Sequence, residues 1–333
     1  MPVYNGGIFL HNAIKSILDQ SYTDFQLLII DDASTDNSSD IIDSFCDPRI
    51  NYQRNNKNIG LARTLNRGLE LADCEYLIRM DADDVSLPRR LEWQVSFMDN
   101  NPSLGISGTW LKIFGSKKSR GIVKYLGNHE AMRICLLFCT PMAHPTVIIR
   151  YAEWMKENLF YDPVFNRTED FELWSRAVQK IRLGNLPKVA YRYRRHSASV
   201  TCANQGEMIS QYRVIIKKNL DNIGVFPFPE ELDLHTKIGL QGKVNSLAEL
   251  QMAEEWLLYI MQQAVLAGYE KICVQEAISL VWYRFARNAA WLGREGEKAC
   301  LSSDLLIPKS VLMSERILFK AAVLFHSFKG QGK

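Results

Sequence analysis

Apolar and polar positions switch between two periods through the first part of the chain. Phe9, Leu10, Ala13, Ile14, Ile17 and Leu18 recur at helical spacing and leave His11, Lys15 and Asp19 outside, which predicts an amphipathic helix packed on a sheet. The apolar run Phe25 to Ile30 predicts a strand, and Ser34-Thr35-Asp36 then supplies capping side chains for a helix carrying Ile41, Ile42 and Phe45. A short strand follows at Ile50 to Gln53. The polar run Asn55 to Gly60 reads as a loop, and Leu61, Leu65, Leu69 and Ala72 mark one face of the next helix. Tyr76-Leu77-Ile78 opens a strand that ends at Asp81, and Ser86-Leu87-Pro88 fits a capped helix start with proline in the first turn, running to about Asn100.

Strands alternating with helices of this length predict right-handed crossovers and a mainly parallel sheet flanked by helices, an α/β domain. No Gly-x-Gly-x-x-Gly follows any of these strands, so a glycine turn at a helix N-terminus is not the phosphate-binding device. From Gly105 to Arg195 the pattern loosens, with strands expected at Leu111 to Phe114, Thr146 to Arg150 and Val189 to Arg194, and helices near Glu130 to Phe138 and Glu169 to Gln179. After Asn204 the aromatic and long aliphatic residues recur at helical spacing. The expected organisation is an α/β domain over 1–204, divided into halves 1–104 and 105–204, and a helical C-terminal region over 205–333. Met1-Pro2-Val3-Tyr4-Asn5 reads as the end of a strand, so the first strand is expected to be truncated.

Composition narrows the classes. With 333 residues, 47% hydrophobic and 23% charged, the chain can bury a sizeable core. The net charge of +3 is small and the basic residues are dispersed, which speaks against nucleic acid as a partner. Seven cysteines without a Cys-x-x-Cys pair point to free thiols in a reducing compartment, with Cys135 and Cys139 packing on a helix. No apolar run reaches bilayer-spanning length and no leader pattern is present, so a cytoplasmic location is expected, extending to the inner face of the membrane. The stripe Val281, Trp282, Phe285, Ala289 and Leu292 and the apolar run Ile317 to Phe325 allow either packing against the catalytic domain or peripheral contact with a lipid surface.

Met80-Asp81-Ala82-Asp83-Asp84 is the chemical centre of the sequence. A buried strand that ends by presenting several carboxylates to one point needs a cation or hydrogen-bond donors there. Hard cations such as Mg²⁺ or Mn²⁺ take oxygen ligands and share them with substrate phosphates, so a phosphorylated small molecule is the expected ligand. A second acidic pair, Asp31-Asp32, ends another strand and would line the same crevice beyond the carboxyl ends of the strands. Glu169-Asp170 opens a helix whose dipole favours an ionised carboxylate.

Met1 to Asn5, Asp31 to Asp36, Asn58 to Ala62, Arg79 to Asp84 and Glu169-Asp170 together resemble, in order and spacing, the inverting family 2 glycosyltransferases of the GT-A fold. The resemblance covers roughly the α/β domain. It implies transfer of a sugar from a nucleotide-diphosphate sugar, UDP-sugar above all, to a hydroxyl of a glycan or lipid-linked acceptor in surface polysaccharide synthesis. It implies nucleotide-sugar contacts from Pro2, Val3, Tyr4, Asn5, Asp32, Asn58, Asp81 and Ala82, with Asp83 as the metal ligand bridging to the diphosphate and Asp81 beside it. It makes Asp170 the base and Glu169 its neighbour that orients the acceptor. His196 either joins the metal or neutralises phosphate with Arg194 or Arg195, or is a surface residue. His144 is either packed or in acceptor contact, and Arg63 either reaches the donor or is an exposed helix position. A metal-dependent nucleotidyltransferase would carry a basic glycine-rich loop near its first strand, and Tyr4-Asn5-Gly6-Gly7 has none. A non-catalytic sugar-nucleotide-binding protein would lack Asp170. A phosphatase with an Asp nucleophile would need a threonine where Asp84 and Val85 stand.

Overall fold

A computed structural model describes residues 1–115, 121–195 and 205–307. These fall into two compact units, one of residues 1–129 and 141–208, the other of 130–140 and the chain from 209 on.

The first unit carries two sheets. In the smaller, β1 (Pro2–Val3), β2 (Leu27–Asp31) and β3 (Ile50–Arg54) run parallel in the order β1-β2-β3. Helices α1 (Gly7–Leu18) and α2 (Ser38–Asp43) make the crossovers, and α3 (Leu61–Leu71) follows β3. The helical period of the α1 sequence is realised in full: Leu10, Ala13, Ile14 and Ile17 are buried against Val3, Leu27, Ile29 and Met80. Each of the leucine and isoleucine side chains contributes about 1.5–3 kcal/mol of transfer free energy. The N-cap of α2 is Asn37, which makes no side-chain capping bond; Asp36, one residue earlier, accepts from the Ser38 N–H at 3.0 Å.

The larger sheet is mixed, which departs from the mainly parallel expectation. It contains β4 (Tyr76–Ile78), β5 (Val85–Ser86), β6 (Leu104–Phe114), β7 (Gly121–Val123), β8 (Ile148–Arg150) and β9 (Arg182–Arg194). The order is β4-β8-β6-β9-β5, with β7 on β6; only β6 and β9 run parallel. Helix α4 (Arg90–Asp99) starts later than its sequence implied, because Val85 and Ser86 extend and pair with Arg192 and Tyr191. Strands β6 and β9 also begin earlier than expected. Gly108 allows this: a Cβ there would stand 2.4 Å from Asn185 Oδ1 on β9.

Helix α5 (His129–Cys135) links into the second unit, whereas α6 (Tyr151–Lys156) and α7 (Glu169–Ala177) belong to the first. The second unit is built from α8 (Gln205–Asp221), α9 (Pro229–Gly239), α10 (Leu247–Leu266), α11 (Lys271–Ala286) and α12 (Gly293–Ser302). Within it, residues 136–138 are held by side chains: Asn219 donates to Leu136 O at 2.7 Å, and Trp256 donates to His235, whose other ring nitrogen bonds Leu137 O at 2.6 Å. Burial keeps His235 neutral, lowering its pKa to about 4. The stripe Val281, Trp282, Phe285 and Ala289 is buried, so it is helix packing; the run from Ile317 to Phe325 lies outside the described residues. No helix among the described residues is long and apolar enough to cross a membrane.

Ile14 is fully buried at the centre of the α1 interface. Ile14→Ala is expected to lower the unfolding free energy by about 2–5 kcal/mol, read from the midpoint of urea denaturation.

Candidate active site

The acidic segment Arg79 to Asp84 connects β4 at one edge of the larger sheet to β5 at the other. It therefore passes across the sheet end, and several contacts fix it there. Arg90, fully buried, donates to Arg79 O at 2.7 Å and to Pro145 O at 3.0 Å, while Gln94 holds its Nε. The Asp81 N–H donates to the Tyr191 hydroxyl on β9 at 3.2 Å, and the Arg194 N–H donates to Asp84 Oδ1 at 2.6 Å. The Arg194 side chain lies over Phe9 and Phe114 and donates through Nε to Asp83 O.

This anchoring brings one oxygen each from Asp81, Asp83 and Asp84 within 4.8 Å of one another. Arg79, 5% exposed, pairs with Asp81 at 2.6 Å. Burial alone would weaken the Arg79 charge, but Asp81, Tyr161 and Tyr191 outweigh it and hold the guanidinium more firmly protonated than usual. Burial pushes Asp81 up despite Arg79. Asp84 feels burial first and then the Asp81 and Asp83 charges, and rises to about 8. Three carboxylates so close, one of them driven to keep a proton near neutral pH, have the chemistry of a divalent-cation site: oxygen-only donors whose repulsion a 2+ ion removes.

Glu169 and Asp170 begin α7 in the same electrostatic neighbourhood, Asp170 interacting with both Arg79 and Asp81. The sequence implied that the helix dipole keeps them ionised. Burial is stronger: it raises Asp170 to about 6 and, together with the Asp170 charge, Glu169 to about 7. His144 lies in a buried 3-10 turn with its Nε2 2.8 Å from the Tyr161 hydroxyl and its Nδ1 4.0 Å from Glu169. Burial, then Arg79, lowers its pKa well below the usual value, so the imidazole is neutral. Arg167, just before the helix, sits at φ +72°, a strained conformation for a side chain of its size.

At the rim, the turn after β1 is laced to the turn after β2. Asn5 N donates to Ser34 Oγ, Thr35 N to Asn5 Oδ1, and Gly6 and Gly7 N to Ser38 and Asp36. Asn5 takes φ +51°, which its short polar side chain tolerates. Val3 is buried and Tyr4 is 53% exposed on this rim, Pro2 preceding them in the strand. Asp31 is consumed by folding, paired with Arg54 at 2.9 Å and accepting from Ser34 N and Tyr52. Asp32 organises the 55–60 loop: its oxygens accept from Asn55 Nδ2, Ile59 N and Gly60 N at 2.7–2.9 Å. Asn58 and Arg63 are exposed, and Ala82 packs on the core beside the acidic cluster. His196 lies outside the described residues. Arg90, Tyr161 and Tyr191 had no local sequence signal, and Arg79 stood out only as the first residue of the Arg79 to Asp84 motif.

The sequence model of the family described as Glycosyl transferase family 2 matches residues 1–158. The O-antigen biosynthesis glycosyltransferase WbnJ of Escherichia coli is 31% identical over 211 residues, 60% of this chain and 79% of WbnJ. A Haemophilus influenzae protein described as an uncharacterized glycosyltransferase is 27% identical over 237 residues, 67% of this chain and 73% of the relative. Among solved structures, residues 1–349 of S. aureus TarS in complex with UDP-GlcNAc match with a TM-score of 0.57 at 17% identity, covering 100% of this chain and 90% of that one.

Because Asp84 and Glu169 bind protons more tightly when folded, their contribution to stability is present at low pH and is lost as pH rises through about 7 to 8. The melting temperature is expected to fall between pH 6 and pH 8 without metal, and Mn²⁺ is expected to offset more of that fall at the higher pH. Differential scanning fluorimetry of the protein and of Asp84→Asn checks this; the variant should flatten the metal-free profile.

Proposed function

The chain belongs to glycosyl transferase family 2 and has its GT-A fold, and from that premise we propose that it transfers a sugar, with inversion, from a UDP-sugar to a hydroxyl of a glycan or lipid-linked acceptor. Its enzyme class is glycosyltransferase. The O-antigen role of the relative WbnJ and the UDP-GlcNAc held by TarS support surface polysaccharide synthesis and a uridine donor. The observation that carries the reading is the convergence of Asp81, Glu169 and Asp170 around the buried guanidinium of Arg79, with Asp83 beside Asp81.

In this reading Val3, Tyr4, Asn5 and Asp32 form the nucleotide end of the crevice, and Asn58 and Arg63 flank its loop. Asp83 and Asp81 would hold a divalent cation, which when bound would neutralise charge on the departing nucleoside diphosphate. Asp170 takes the proton from the acceptor hydroxyl as that oxygen attacks the anomeric carbon. Its raised pKa makes it a stronger base than an ordinary carboxylate, and Glu169, close to His144, orients the acceptor. The Tyr161 hydroxyl and neutral His144 stand beside Glu169 without adding charge.

A thermal-shift screen of UDP-, GDP-, CDP- and dTDP-sugars with and without Mn²⁺ identifies the donor, and UDP-sugars with metal are expected to give the largest rise. Release of UDP rather than pyrophosphate then separates sugar transfer from nucleotidyl transfer. Asp170→Asn is expected to lower kcat on the order of a hundredfold or more while donor binding persists. Unchanged turnover in that variant removes the base assignment. Since the base must be ionised, kcat/KM of the native enzyme should fall as pH drops through about 6, not through the ordinary carboxylate range.

A further inference from the structure

Basic residues are dispersed along the sequence, but the fold gathers part of them on one sheet face. Residues 104–128 and 181–206 each hold five lysines and arginines, and neither stretch holds an aspartate or glutamate, in a chain whose net charge is only +3. Pairing of β6 with β7 and β9 lays these stretches side by side.

Side-chain alternation sorts the two faces. Leu111, Ile113, Val123, Tyr125, Tyr191 and Tyr193 pack on the core with α1, so the even-numbered positions of these strands point away from it. That outer face carries Trp110, Lys112, Ile122, Lys124 and Arg192. Lys112 is the register partner of both Ile122 and Arg192, and Ile122 is 54% exposed. Lys124 lies over the Trp110 ring, 5.0 Å from its centroid, and Arg192 over the Phe114 ring at 4.4 Å. The indole is itself held in place, its Nε1 donating to Tyr125 O at 3.1 Å.

Two features define what fits here. Lys112 and Arg192 stand opposite each other on neighbouring strands, a juxtaposition of like charges that costs free energy, and among the described residues no carboxylate pairs with either. An anion placed between them removes that cost. Arg192 is in turn the partner of Val85 on β5, the residue after Asp84, so the line Lys124, Lys112, Arg192 ends beside the acidic cluster. A bilayer would gain only about 1 kcal/mol from each of these cations, short of a stable anchor. A substrate already held at the cluster needs no more than that to be aligned.

We propose that the acceptor is an anionic glycan, carrying phosphodiester or carboxylate groups along its length, and that it lies across β7, β6 and β9 with its anions at Lys124, Lys112 and Arg192. Its reactive hydroxyl then falls at the β5 end of that line, where the acidic cluster stands. The proposal rests on the glycosyltransferase reading and narrows the acceptor within it.

The test is titration calorimetry of the full chain with polyphosphate, polygalacturonate and neutral dextran of matched length. At least one polyanion is expected to bind, identifying phosphodiester or carboxylate chemistry, while dextran does not. Its Kd should rise about tenfold from about 50 to about 200 mM salt, as two to three released counterions require. Joint replacement Lys112→Gln and Arg192→Gln is expected to weaken binding about tenfold, whereas Lys112→Arg with Arg192→Lys keeps the charge and the affinity. Equal affinity of the native chain and the glutamine variant overturns the proposal, as does dextran binding as tightly as the polyanions. Binding to phosphatidylglycerol vesicles and to neither polyanion also overturns it, and makes the face a lipid surface. The thermal shift by UDP-sugar and Mn²⁺ is read in parallel. Its absence in the native chain removes the glycosyltransferase reading and the acceptor with it, whereas failure of the polymer arms alone removes only the acceptor. Its loss in the glutamine variant overturns the proposal by assigning the pair to the donor.

Discussion

The molecule depends on holding several carboxylates at one point that is largely out of water. Desolvation alone makes each unfavourable, and their mutual repulsion adds to the penalty, as the rise of Asp84 to about 8 records. The fold counters with geometry rather than with an equal number of cations. Arg79 meets Asp81 directly, and Arg90 holds the Arg79 carbonyl. Main-chain donors from the β9 end meet Asp84, while the Tyr191 hydroxyl fixes the Asp81 backbone. Removing any one would leave a buried polar group without its partner, the expensive kind of loss.

Sheet order explains how so short a segment can be gripped from so many sides. Because β4 and β5 lie at opposite ends of the β4-β8-β6-β9-β5 array, residues 79–84 must cross the sheet end, passing over β9 on the way. The long parallel pairing of β6 with β9 makes that end rigid, and glycine at position 108 lets the two strands approach. The same crossing points Arg79 inward, where it serves the acidic cluster.

What the sequence made legible followed from local periodicity. The apolar face of α1, the three parallel strands and the helical character of the C-terminal region all rest on spacing that a single segment carries. That Asp81, Asp83 and Asp84 come together was legible as well, since they follow one another directly after the apolar run Tyr76 to Ile78. The misses share a cause. Val85 and Ser86 became a strand because Tyr191 and Arg192 lie beside them, and β6 and β9 lengthened through glycines that interrupt the apolar pattern; both depend on partners distant in sequence. Arg79 entered only as the first residue of the Arg79 to Asp84 motif and Arg90 not at all, because the burial of both depends on tertiary packing. Asp31 and Asp32 read as one functional pair, yet three-dimensional contacts assign Asp31 to Arg54 and Asp32 first to the 55–60 loop.

Glu169 and Asp170 show why helix position alone could not decide their charge. A helix N-terminus is worth about 0.3–1 kcal/mol to an anion, whereas the burial of these carboxylates moves Glu169 to about 7 and Asp170 to about 6; one pKa unit is about 1.4 kcal/mol. The stronger effect wins, and it would suit the proposed proton-accepting role better than the weaker one, since a carboxylate near neutrality is the more competent base. The site as a whole follows the same logic. Charge is held in a place where the fold disfavours it, so in the proposed reaction a cation, a diphosphate and an acceptor would each relieve a cost that the fold already carries. Binding and chemistry thus draw on electrostatic strain stored at the end of one sheet, and the apolar face of α1 beneath it supplies part of the stability that keeps that strain in place.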